Sequence, residues 1–158
     1  MSKIPFSIAL LALAAVAFAG AAAEKATDDW TQWGGPDHEF RATSAGLAKQ
    51  WSADGPRELW TRELGDGYSA ILYQDGKLYT MYRSGDEEAV VCLNAKTGKT
   101  VWEHRYRAAP AEGHVSQFGE GPRSTPLIAG GMIYTIGVAG DLYALDKSNG
   151  KPVWNHDL

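Results

Sequence analysis

Leu142-Tyr-Ala-Leu-Asp-Lys-Ser-Asn-Gly-Lys-Pro-Val-Trp154 repeats an earlier stretch of the chain, Val91-Cys-Leu-Asn-Ala-Lys-Thr-Gly-Lys-Thr-Val-Trp102. Leu93 maps to Leu145, Asn94 to Asp146, Gly98 to Gly150 and Trp102 to Trp154, each 52 residues apart with no gap. A repeat at this period means stacked supersecondary units, a propeller or a solenoid. Alternating apolar residues (Val91 and Leu93; Leu142 and Ala144) make a half-buried strand. Asn94 or Asp146 opens a tight turn, because its short side chain can bond the backbone two residues on. Gly98 or Gly150 closes it with a positive φ that costs other residues roughly 1 kcal/mol or more. A second strand restarts at Val101-Trp102 or Val153-Trp154. One Trp per unit, burying ~150–250 Å2, can join neighbouring units.

Working outward, the pattern predicts strands at 59–64, 69–73, 77–82 and 89–93, then at 101–106, 124–128, 132–136 and 141–145. A further strand begins at Val153. Asp75-Gly76 and Gly130-Gly131 are hairpin turns between alternating apolar runs. Ser69, Leu72, Gly76, Tyr79 and Thr80 match Ser124, Leu127, Gly131, Tyr134 and Thr135 at a second offset, 55. The segment from Ala108 to Arg123 reads as a loop inserted in the second unit.

Four short strands per ~40–50 residues is the arithmetic of a propeller blade. The expected fold is therefore all-β: four-stranded antiparallel blades at about 59–93 and 101–145, with a third begun at 153. A ring needs about four to eight blades. An open pair would expose apolar faces and an unpaired edge. The expectation is a partial propeller, the N-terminal fragment of a longer chain, with several copies sharing one ring as the alternative.

Residues 1–23 stand outside this pattern. Lys3, the apolar run from Ile8 to Ala19 and Ala21-Ala22-Ala23 have the make-up of a cleavable signal peptide. The run is short for a membrane span, so export to the periplasm or beyond, with no span after cleavage near Ala23, is expected. No Cys follows the cleavage region, so a lipid anchor is not expected. Cys92 is the only cysteine; no intramolecular disulfide can form, and its apolar setting suits a small buried hydrophobe. Residues 24–58 form an irregular leader with Trp30, Trp33 and Trp51, which staple such a segment to a β surface more often than they line a ligand site. About 135 mature residues suffice for one core. Fifteen Lys and Arg against nineteen Asp and Glu, with no basic run, give no nucleic-acid footprint.

Catalytic signatures are absent: no His-Glu-x-x-His, no EF-hand loop, no phosphate-binding glycine loop and no nucleophile elbow. His38, His104, His114 and His156 are scattered, and His104 and His156 both fall two residues past the repeat Trp. Asp86-Glu87-Glu88 could hold Ca2+, which wants several oxygens, although a solvated loop is the plainer reading. Arg83 and Arg123 lie near Gly-containing turns at strand ends. Arg123-Ser-Thr-Pro126 is the best candidate functional surface, unless an arginine there simply pairs with the 86–88 carboxylates.

Ala144-x-Asp146-x-x-Asn149-Gly150-Lys151-x-x-Trp154 resembles the tryptophan-docking motif of pyrroloquinoline-quinone (PQQ)-type β-propeller repeats. The earlier copy has Cys92 and Asn94 in place of Ala and Asp but keeps Thr97, Gly98 and Trp102. The Trp-x-x-Trp-Gly-Gly-Pro opening of the leader is similar to that of bacterial secreted members. The resemblance implies that Trp102 and Trp154, and more weakly Trp60, pack against a neighbouring blade. Quinoprotein dehydrogenases of the family use PQQ with Ca2+, and those resembling methanol dehydrogenase carry a vicinal Cys pair that one cysteine cannot supply. Two functions follow as expectations. The first is a non-catalytic scaffold presenting a propeller face to a protein partner or small ligand, as does the lipoprotein scaffold of outer-membrane assembly with the same repeats. The second is the N-terminal part of a PQQ-dependent alcohol or sugar dehydrogenase.

Overall fold

A computed structural model of the protein describes residues 29–42, 46, 48–109 and 119–158. The expected signal peptide at 1–23, His114 and much of the 108–123 loop lie outside the described residues. The strands are β1 (Leu72–Gln74), β2 (Lys77–Ser84), β3 (Glu87–Asn94), β4 (Thr100–Arg107), β5 (Leu127–Ala129), β6 (Met132–Ile136), β7 (Asp141–Asp146) and β8 (Pro152–Asp157). They form two four-stranded antiparallel sheets, β1-β2-β3-β4 and β5-β6-β7-β8. Each sheet is a propeller blade in order and sense.

Turn chemistry accounts for the ladders. Asp75 and Gly76 have φ of 51° and 72°, and Gly130 and Gly131 have 56° and 80°. Positive φ at both central residues is what a two-residue hairpin matching strand twist requires. In the repeat turns, Asn94 Oδ1 accepts from the Lys96 N–H at 3.0 Å and Asp146 Oδ1 from the Ser148 N–H at 2.7 Å. The Gly98 and Gly150 N–H groups each donate back to residue 94 or 146 at 2.8 Å. Cys92 pairs with Trp102 but Leu93 with Thr100, so Val101 is an extra residue in β4; Val153 is its equivalent in β8. These bulges add local twist just before each tryptophan.

The grouping of strands differs from the sequence expectation. The stretch 101–106 does not open a second set; it is the outer strand of the first sheet, and 153–158 completes the second sheet without starting a third. A five-residue Asx turn returns the chain beside the strand it left, so the strands on either side of it must share a ladder. The blades therefore run 72–107 and 127–157. The expected strand at 59–64 joins neither sheet.

The sheets face each other over a core that includes Tyr79, Met81, Val90, Cys92, Trp102, Ile133 and Leu145, with Trp30 at its edge. The opposite face of the first sheet carries Ala89, Val91 and Leu93, covered by Trp60 and Leu64. Successive residues of β3 alternate between these layers, as strand geometry dictates. Cys92 is fully buried, and burial pushes its thiol up. Trp30 exchanges N–H···O bonds with Tyr73 at 2.7 and 3.0 Å, and Thr31 accepts from Ile128, so the leader ties the two inner strands together.

Trp102 lies against Gly150, where an added Cβ would come closer than 3.0 Å to the indole ring, and its Nε1–H donates to the Lys147 carbonyl at 2.9 Å. Trp60 repeats this on the preceding turn, flat against Gly98 and donating to the Ala95 carbonyl at 3.0 Å. Trp154 has no equivalent turn among the described residues and is 43% exposed, with Tyr134 6.1 Å from its ring. The sequence motif is the same at both positions; the burial is not. Trp154→Ala should accordingly cost about 1 kcal/mol, the centre of point-substitution effects and well below Trp102→Ala. A urea-midpoint loss as large as that of Trp102→Ala would contradict this.

Candidate functional site

The loop-bearing end of the blades gathers the polar residues. The β2–β3 turn, the end of β4 and the β6–β7 turn all lie there, because antiparallel ladders place alternate turns at one end. Arg83, the penultimate residue of β2, is 4% exposed, and its backbone exchanges two hydrogen bonds with Asp66, at 2.9 and 2.7 Å. Glu120 Oε2 stands 3.9 Å from its Nε.

The acidic trio does not act as one group. Asp86 is exposed in the turn; Glu87 begins β3 and forms an ion pair with Arg105 at 3.6 Å. Glu88 is fully buried, which corrects the solvated-loop reading. Alternation along β3 turns it toward the second sheet, where it accepts from the Tyr106 hydroxyl at 2.8 Å and the Val138 N–H at 3.3 Å. Gly137 packs directly on this pair, and an added Cβ would meet both Glu88 Oε2 and the Tyr106 oxygen. Neither does the trio converge as a Ca2+ site, and among the described residues no group of three or more His, Cys, Asp or Glu could hold a metal. Arg123 is exposed, and no ion pair with the 86–88 carboxylates forms among the described residues. Arg83 and Asp86 come together; Glu87 and Arg123 do not join them.

His104 and Tyr143 line the same seam, their rings 5.0 Å apart, with Tyr106 4.7 Å from Tyr143. Burial lowers the His104 pKa and holds the ring neutral. Burial also pushes the Glu88 carboxyl up, against the pull of the Tyr106 hydroxyl, the Val138 N–H and the Arg83 charge. A carboxyl whose folded pKa is raised stabilises the fold below its unfolded pKa and loses that contribution as pH climbs through the folded value. Between about pH 4.5 and 8 the wild type should therefore lose stability relative to Glu88→Gln, which keeps the acceptor oxygen without titrating. His104 works in the opposite direction but is common to both proteins. Urea melts at the two pH values check this, and parallel pH profiles would refute it.

Sequence reasoning missed Glu88 and Tyr106 as partners. The one available signal was the alternation that puts Glu88 in phase with Val90 and Cys92.

The fold and its repeated turn define the class: a β-propeller built of PQQ-like repeats. The family profile described as outer membrane protein assembly factor BamB matches residues 21–158, and the chain belongs to that family. The BamB of Kangiella koreensis is 29% identical over 91 residues, 58% of this chain and 22% of that protein. The BamB of Xanthomonas campestris is 28% identical over 103 residues, 61% of this chain and 24% of that protein. The chain thus spans less than a quarter of these relatives' length. Among solved structures, BamB of Moraxella catarrhalis matches at 23% identity and a TM-score of 0.38, covering 60% of this chain and 23% of the other. A europium-containing methanol dehydrogenase matches at 23% identity and a TM-score of 0.43, covering 56% and 15%.

Proposed function

We propose that this chain supplies two blades of a larger PQQ-like propeller that serves as a non-catalytic, protein-binding scaffold in the periplasm. The observation that carries the larger ring is the seat of Trp60. It rests on Gly98 and the Ala95 carbonyl as Trp102 rests on Gly150 and the Lys147 carbonyl. Trp102 belongs to the outer strand of the blade beside that turn. By the same geometry, the segment 59–64 is the outer strand of a blade whose other strands lie elsewhere in the ring. Arg62 Nη1 holds this segment by donating to the Gly98 carbonyl at 3.0 Å. The exposed Trp154 is then the contact kept for a further repeat turn. The tryptophans are docking residues in this reading, and residues 1–23 direct export.

The scaffold role is drawn from the relatives, whose name is that of outer membrane assembly factors. PQQ with Ca2+ is the cofactor the resemblance would bring, but the acidic trio does not fit the metal. Titrating the purified protein with PQQ and Ca2+, followed by quinone absorbance and melting temperature, tests the reading. A scaffold gives no saturable response that requires Ca2+. A saturable, Ca2+-dependent shift approaching ~2.7 kcal/mol at a hundredfold excess over Kd would instead support a dehydrogenase.

A further inference from the structure

Beside Arg83 lies a cavity of about 340 Å3, lined by Arg83, Asp86, Arg107, Ala108 and Ala109. The Ala108 N–H donates to the Asp86 carbonyl at 3.1 Å and fixes the end of β4 against the β2–β3 turn. The Arg83 side chain is 5% exposed, and its Nη1 is buried without a hydrogen-bond partner. A buried guanidinium with an unmet donor is costly unless an anion compensates it. Two carboxylates stand near, and neither bonds this Nη1. Glu88, the cross-strand neighbour of Arg83, is committed to Tyr106 and Val138. Glu120 reaches only 3.9 Å from Nε, beyond hydrogen-bond distance, and its side chain is 61% exposed.

We propose that this cavity is a carboxylate-binding site in which Arg83 and Arg107 receive the anion. Two guanidiniums against the Asp86 carboxylate leave one positive charge among the lining residues, which matches a monoanion better than a phosphate dianion. The guanidinium fork offers paired donors at the spacing of carboxylate oxygens. The volume admits a small organic acid or the side chain of an acidic peptide, and both present the same group. Glu120 is the built-in competitor for Arg83. All five lining residues belong to the first blade or the two residues after it, so the site does not depend on the scaffold reading or on further blades.

The experiment is a titration of the full chain with acetate and, separately, with a hexaglutamate peptide, at low salt because screening weakens exposed partners. Binding is followed on the arginine Nε–H NMR signals. Saturable binding is expected, weakened about tenfold by Arg107→Gln, an exposed position that leaves the core intact. Glu120→Gln should tighten binding several-fold, and Arg83→Lys should weaken it by keeping the charge and losing the fork. Saturation by both ligands assigns recognition to the carboxylate alone; saturation by the peptide only assigns the site to an acidic segment of a protein. A linear, unsaturated response to both, or affinities that the Arg107 and Glu120 variants leave unchanged, would overturn the proposal.

Discussion

Trp102→Ala is expected to cost ~3–5 kcal/mol, the range for truncating a buried large aromatic. Trp102 is 8% exposed, packs on Tyr79 at 6.1 Å between ring centres and lies flat on Gly150. Truncation would empty the space between the sheets and leave the Lys147 carbonyl without its indole donor. Trp102→Phe should recover much of the packing and still lose about 1 kcal/mol for the missing hydrogen bond. Urea denaturation of the three proteins, with slopes compared to confirm the same transition, measures both numbers. A near-neutral Trp102→Ala would sink the role given to Trp102 and, with it, the equivalent role inferred for Trp60.

Gly65→Ala and Gly121→Ala should be the most damaging small substitutions in the described chain, each losing about 2 kcal/mol or more. An added Cβ at Gly65 would collide with the Arg83 carbonyl, and one at Gly121 with the Asp66 carbonyl. In both cases the obstacle is backbone held by the Asp66–Arg83 hydrogen-bond pair, so nothing can swing aside. Overpacking against fixed atoms costs ~1–3 kcal/mol or more. Gly76→Ala is the comparison: its Cβ meets nothing within 4 Å, and only the φ of 72° opposes it. That substitution should cost about 1 kcal/mol. Thermal melts that rank Gly76→Ala as the worst of the three would show that the loop ends are looser than their geometry.

The fate of the candidate site shows where sequence reasoning stops. Arg83 and Asp86 were legible as neighbours because one tight turn joins them. Arg107 was not, since it reaches them only through the β3–β4 ladder, where it pairs with Glu87. Glu88 looked like the third charge of a solvated run, and the sequence holds no trace of Val138 and Gly137, fifty and forty-nine positions on, which close over it. Arg123 was singled out for its place after a glycine-rich stretch, yet its side chain remains in solvent. A charge run in one dimension becomes three environments once strands alternate between faces.

By itself the sequence determined the repeat unit, its Asx turn and glycine, the two-residue hairpins and the four-strand composition of a blade. These depend on interactions within a few residues, so side-chain type and spacing suffice. Only the tertiary structure decided which strands share a sheet, which repeat tryptophan is buried and where the charges go. Trp102 and Trp154 occupy the same place in the same motif, yet one is covered and the other 43% exposed. The difference is a neighbouring turn, and burial is a property of what packs against a residue rather than of the residue's own surroundings in the chain.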